Sequence, residues 1–243
     1  MKILVIGDSC TDIFKYGKVD RLAPEAPVPI IVPFRTTSNP GMAGNVVANL
    51  EALGVQTDLI TNKIEIRKIR YVDDKYNQII IRVDENDTCQ PADDIEIELG
   101  EYDAIIISDY CKGFLNEKMI EAISSNKDCP IFLDTKKILG TWCNNIDYIK
   151  INHQEGIRNK MILSTNKKLR DKTIITRGRF GCDFRDKNYS TVDVPIKDVS
   201  GAGDTFLAGL VVEYLKTGNI VKAIDFAQQC TTKVVQKPGV TTV

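Results

Sequence analysis

The stretch Asp198-Val199-Ser200-Gly201-Ala202-Gly203-Asp204-Thr205-Phe206-Leu207-Ala208-Gly209 is the point from which the chain is best read. Gly201, Ala202 and Gly203 lead into a run where Leu207, Leu210, Val211, Tyr214 and Leu215 recur at helical spacing. That periodicity predicts a helix with Asp204 in its first turn. A helix start carries unpaired N–H groups and a partial positive charge, which suits a phosphate or a developing anionic oxygen. Small residues let such an anion approach the backbone closely. A P-loop would place Lys and Ser or Thr at this helix start, where Asp204-Thr205 stands instead. A dinucleotide fingerprint would need a third glycine at Phe206 and an earlier strand. What is left is an anion hole with a carboxylate base beside it, an arrangement that fits phosphoryl transfer onto an alcohol.

Composition sets the bounds. The chain has 243 residues, 43% apolar and 27% charged, as in an ordinary globular protein. With a net charge of −1 and no basic block, neither nucleic acid nor an anionic membrane is expected as a partner. Seven cysteines, odd in number and scattered, form no C-x-x-C pair and read as reduced thiols of a cytoplasmic protein. The apolar run Ile3 to Ile6 is too short for a signal peptide, and no run approaches a membrane span. His153 is the single histidine, which excludes mechanisms needing two.

Upstream, Lys2 to Ile6 reads as a buried parallel strand. Residues 13–34 hold Pro24, Pro27, Pro29 and Pro33, which predicts edge strands projecting from the body. A helix follows through Val46, Val47, Leu50 and Leu53, stopped by Gly54, and then a strand from Gln56 to Thr61. Ile69 to Val83 reads as a hairpin broken at Asp73-Asp74-Lys75. Further strands are expected at Ala104–Ile107, Pro130–Leu133, Tyr148–Ile151 and Thr173–Thr176, with a helix capped by Asn116. A turn at Gly178 and Gly181 opens a short hairpin, and Asn219 starts the last helix. Alternating strands and helices predict an α/β domain over 1–243. Its mostly parallel sheet is covered on both faces, with ligand loops at the strands' carboxyl ends. The segments at about 13–35 and 67–84 are expected to form a small β lid.

The D-V-S-G-A-G-D-T stretch, with G-x-x-x-x-D at Gly7 to Asp12 and P-G-M-A-G-N at Pro40 to Asn45, resembles the ribokinase (PfkB) carbohydrate kinases. Pro24-Glu25-Ala26-Pro27-Val28-Pro29, Asn77 to Asp84, and Ser108 to Gly113 resemble the D-glycero-β-D-manno-heptose 7-phosphate kinases, which make precursors of the lipopolysaccharide core. The resemblance implies a ribokinase-like fold and an ATP- and Mg²⁺-dependent sugar kinase acting on a sugar phosphate. It also implies roles for particular residues. Asp204 would be the base, with Gly201, Ala202 and Gly203 as the anion hole. Asp12, Asn45, Gly41, Asp109, Lys112 and Arg82 would meet the sugar phosphate, with Lys68 and Arg70 as further lid cations. Asn152, Thr176, Gly178, Gly203 and Lys136 would lie along the nucleotide, and Glu155 would organise Mg²⁺ through water. Exposed lid edges would favour a homodimer.

The chain departs from that pattern in places. Thr61 to Arg67 leaves no room for the helix and strand found there in the family, and Glu155 to Thr173 is abbreviated. Met42 replaces the second glycine of the usual pair. No nucleotidyltransferase segment follows Val243 in this sequence. A kinase of another sugar, or a non-catalytic nucleotide- or sugar-binding homologue, is the alternative these gaps leave open.

Overall fold

The computed structural model describes residues 1–93, 95–98, 100–237 and 239–243. β1 (Lys2–Gly7) is followed by the long strands β2 (Ser9–Leu22) and β3 (Pro29–Met42), helix α1 (Ala43–Ala52) and β4 (Gln56–Thr61). The hairpin β5 (Ile66–Asp73) and β6 (Gln78–Glu85) leads to β7 (Ala104–Asp109), α2 (Glu117–Ser125), β8 (Ile131–Thr135) and β9 (Tyr148–Asn152). Short helices α3 (His153–Arg158), α4 (Lys160–Thr165) and α5 (Lys167–Arg170) connect to β10 (Thr173–Thr176) and the hairpin β11 (Cys182–Phe184) and β12 (Lys187–Tyr189). The chain then runs through α6 (Ala202–Thr217) and α7 (Ile220–Val234).

An eight-stranded sheet runs in the order β12-β11-β10-β9-β8-β7-β1-β4. It is parallel from β4 across to β10, and β11 and β12 add an antiparallel margin. The period of two in β1 sends its side chains to opposite cores. Ile3 and Val5 pack with α1, α6 and α7, whereas Leu4 and Ile6 pack with α2 and Trp142 on the other face. The doubly covered α/β sheet expected from the strand and helix alternation is therefore present. At the end of β1, next to the margin strand β4, Gly7 lies against β7 so closely that an added Cβ would sit 1.9 Å from the Ser108 carbonyl oxygen.

A second, four-stranded sheet runs in the order β3-β2-β5-β6. The expectation of edge strands for the proline-rich segment needs correction, because β2 lies inside this sheet. The prolines explain the difference. Pro29, Pro33 and Pro40 all fall on the edge strand β3, Pro24 and Pro27 lie in the connection, and β2 has none. The sheet is also longer than the expected lid, since β2 and β3 pair from Ser9–Met42 at their base to Leu22–Pro29 at the tip. Its root therefore stands on the body, directly beside β1 and α1.

Helix α1 begins where Met42 takes φ 57° and ψ −130°, a left-handed conformation that favours glycine. Asn45 lies inside the first turn and is not the cap. No helix among the described residues is long and apolar enough to cross a membrane, and the seven cysteines are free.

Gly7→Ala tests the sheet packing. With backbone rather than a flexible side chain in the way, unfolding in urea should show a loss of about 3 kcal/mol; an unchanged midpoint contradicts the close approach.

Candidate active site

The carboxyl ends of β1, β7, β8 and β9 converge on the start of α6. Asp204 is 4% exposed, and both its oxygens are bonded. Tyr110 donates its phenolic hydrogen to Oδ1 at 2.7 Å, and Asn45 donates from Nδ2 to Oδ2 at 2.8 Å. Burial pushes the carboxyl above the usual carboxylate range; the bonds from Tyr110 and Asn45, and the Lys150 ammonium, act in the opposite direction. A buried acid with a raised pKa, held by two donors, is the arrangement a proton acceptor needs.

The amides at the start of α6 need one revision to the expected set. Ala202 donates to the Val199 carbonyl at 3.2 Å, so its N–H is already taken in a turn. The N–H groups of Gly201, Gly203 and Asp204 have no acceptor among the described residues. Gly201 takes φ 78° and lies so near Asn45 that a Cβ would meet Nδ2 at 2.6 Å. Asn45 therefore lies against both Gly201 and Asp204. Asn49 buttresses it, donating to the Asn45 backbone oxygen at 2.8 Å and accepting from Thr205 at 3.0 Å.

Lys150 was not singled out from the sequence. It is 5% exposed on β9, pairs with Asp134 on β8 at 2.7 Å, and lies 2.8 Å from where a Gly203 Cβ would stand. Burial alone would lower its pKa, but the Asp134 carboxylate outweighs that and holds the ammonium charged. The signal was there to use: a lysine in the apolar strand Tyr148-Ile149-Lys150-Ile151-Asn152 has no solvent to face. Asp8 was missed as well. Its buried carboxylate gathers the amides of Tyr110 at 2.8 Å and of Lys112 and Phe114 at 3.2 Å, fixing the loop that carries Tyr110. Burial raises its pKa against those amide bonds.

The other residues fall into place as follows. Asp12 pairs with Arg70 of β5, under Gly41, where an added Cβ would stand 2.2 Å from Oδ2. Asp109 is 1% exposed and fully engaged by Thr135, Lys137 and the Cys111 amide, so it anchors the loop and Tyr110, its neighbour, reaches Asp204. Lys112 pairs with Asp87, and Arg82 chelates Asp84 through Nε and Nη2. Lys68 has no carboxylate within ion-pair distance among the described residues, and its Nζ lies 5.8 Å from the Tyr110 ring centre. Lys136 lies 4.6 Å from the same ring and pairs with Glu155 at 3.0 Å.

Glu155 is 2% exposed and closes a capping box with Asn152 at the start of α3. Among the described residues no cluster of three or more His, Cys, Asp or Glu side chains could hold a metal. Thr176 and Gly178 line an apolar cleft with Val194, Ile196 and Phe206, and it ends at Ala202 and Gly203. A slot of this kind beside a helix start suits a flat ring joined to an anionic tail.

Comparison with known sequences bears on this geometry directly. Residues 48–243 match the pfkB family carbohydrate kinases. The chain belongs to that family. It is therefore a carbohydrate kinase, a phosphotransferase with an alcohol group as acceptor. It is 28% identical, over an alignment 294 residues long with gaps, to the bifunctional protein HldE of Caulobacter vibrioides, covering 98% of this chain and 60% of that protein. Identity to the HldE of Helicobacter acinonychis is 31% over 301 residues, covering 98% and 63%. The chain thus spans about three-fifths of the length of these curated relatives. Phosphofructokinase-2 of Escherichia coli, solved as a mutant, superposes with a TM-score of 0.73 at 12% identity, covering 97% of this chain and 94% of that one. Ribokinase of Thermotoga maritima gives 0.69 at 16%, covering 98% and 94%. A ribokinase of Cryptococcus neoformans solved in complex with ADP gives 0.66 at 15%, covering 98% and 95%. The ribokinase-like fold is established by these likenesses.

The Lys150–Asp134 pair can be tested by its asymmetry. Lys150→Met should cost about 3–5 kcal/mol by stranding a buried carboxylate. Adding Asp134→Asn should return part of that loss, as read by denaturant melts of the two single variants and the double one. Equal additive losses would mean the two groups do not depend on each other.

Proposed function

We propose that this chain is an ATP- and Mg²⁺-dependent kinase of a sugar phosphate, with a heptose 7-phosphate as the favoured acceptor. One observation carries the reading: Asp204 is buried, held by two donors, and stands beside the open amides of Gly201, Gly203 and Asp204 itself. Asp204 takes the proton of the attacking hydroxyl, and the amides meet the charge on the transferred phosphoryl group. Lys150, just beneath Gly203, adds a fixed positive charge on the same side. The apolar cleft lined by Thr176 and Gly178 takes the nucleotide base.

The residues present fit a magnesium ion held mainly by phosphates and water. Glu155, whose oxygens already accept from Lys136 and Asn152, would reach such an ion only through water, in keeping with the reluctance of Mg²⁺ to shed its hydration shell. When bound, the ion neutralises charge on the nucleotide phosphates. Asp12 and Asn45 hold sugar hydroxyls, because a carboxylate accepts and an amide does both. Lys68, with no competing carboxylate, is the lid cation best suited to the acceptor's own phosphate. Lys112 and Arg82 contribute only by exchanging their present acid partners. The heptose preference is supported by the P-E-A-P-V-P and S-D-Y-C-K-G segments and by the likeness to HldE proteins.

The same reading gives the lid a second task. Val32 and Phe34 on β3 and Ile79, Ile81 and Val83 on β6 are exposed along its two edge strands. A second copy of the chain covers them, since exposed apolar edge strands otherwise invite uncontrolled pairing. Light scattering should give a dimer for the parent and a monomer for Phe34→Glu combined with Ile81→Lys; a dimer in both removes the lid from the interface.

Asp204→Asn should lower turnover by at least ~10²-fold, the general-base range, with nucleotide binding little changed. Coupled ADP-release kinetics across heptose, hexose and pentose phosphates measure this and rank the acceptors together. Because burial raises the Asp204 pKa and only the ionised form accepts a proton, lowering the pH should cut turnover while the pH is still above the ordinary carboxylate range. Parental activity in Asp204→Asn would remove the base from the mechanism.

A further inference from the structure

Tyr110 sits where three parts of the molecule meet. Its ring packs on Cys10 of β2, Met42 before α1 and Ile66 of β5, the root of the lid. Two ammonium groups lie over its ring, Lys68 from the lid and Lys136 from the body. Its backbone N–H is fixed on buried Asp8, and its hydroxyl has Asp204 as partner. A phenol so placed has little freedom to turn away. Its donation goes to one oxygen of the base, while Asn45 donates to the other.

We propose that Tyr110 is a positioning residue for the base: its O–H and the Asn45 amide clamp the two Asp204 oxygens in one orientation. The clamp leaves each oxygen a second lone pair for the incoming hydroxyl. This rests on Asp204 being the base and deepens that reading. The charged and titratable groups facing Asp204 are Tyr110 after β7, Lys150 on β9, Asp134 on β8 and Cys10 on β2, and their fields oppose one another. Asn45 on α1 contributes a neutral donor. Of these, the Tyr110 bond is removable without changing charge or shape.

A hydrogen bond to a carboxylate favours its ionised form, so losing the phenol must raise the Asp204 pKa. In Tyr110→Phe the shift should be roughly one to two pH units upward, the size of one bond to a charged group. Two measurements test this. In protein labelled with ¹³C at Asp carboxyl carbons, the resonance missing from Asp204→Asn should titrate at higher pH in Tyr110→Phe than in the parent. With ATP, Mg²⁺ and D-glycero-D-manno-heptose 7-phosphate, the acidic limb of kcat should move by the same amount while KM for ATP stays constant.

Equal NMR midpoints in the parent and Tyr110→Phe would overturn the proposal, whatever the activity. A change confined to the KM for the sugar would do the same, because it would make Tyr110 a substrate contact. Parental turnover in Asp204→Asn would instead remove the base reading, and the NMR comparison would still decide the Tyr110 contact.

Discussion

A carboxylate held out of water at the start of a helix is the constraint around which this molecule is built. Water would solvate Asp204 far better than any pair of neutral donors, so its burial is tolerated only because each oxygen is bonded. That requirement recruits distant parts of the chain. Asn45 comes from α1, Tyr110 from the loop after β7, and Lys150 from β9. Each is supported in turn: Asn45 by Asn49, Tyr110 by the amide cluster on Asp8, Lys150 by Asp134. The sheet places these donors, since parallel strands bring their carboxyl ends to one edge.

The same logic explains why charged groups in this region are paired. Asp109 with Lys137, Asp134 with Lys150, and Glu155 with Lys136 are ion pairs in which the acid is nearly buried. Unpaired, each acid would cost several kcal/mol, on the order of the whole net stability of a domain. Lys68 stands apart from this rule, flanking Tyr110 with no acid at ion-pair distance among the described residues.

Local pattern was enough to recognise most of the fold. The Gln56–Thr61 strand, the Asn116 cap and the Gly218 stop follow from alternation, capping and glycine chemistry that act within a few residues. Legibility failed where partners are remote. That β2 is interior and β3 an edge depends on pairing with β5, some 50 residues on. The Ala202 amide is lost to Val199 by a turn whose closure no spacing reveals. Asp109 could be seen near a strand end, but its capture by Lys137 and Thr135 could not. Lys150 and Asp8 matter because of what lies across the sheet, which a linear motif does not display.

The shortened chain and Met42 pose one question of magnitude. The connection from β4 to β5 runs only through residues 62–65, and β4 is the margin of the main sheet. That gap therefore lies away from β7, β8 and β9, which deliver the site, whereas the abbreviated stretch from Glu155 to Thr173 follows β9 directly through α3, α4 and α5. Met42 is nearer, and its left-handed backbone costs about 1–3 kcal/mol. Its side chain, 3% exposed against Cys10, Ile66 and Tyr110, gains about 1.5–3 kcal/mol from burial. The two nearly offset, so the substitution need not unbalance the domain. The packing partners of Met42 include Tyr110, the residue that donates to Asp204. The root of the four-stranded sheet, on β2 and β5, is thereby packed against the residue bonded to Asp204.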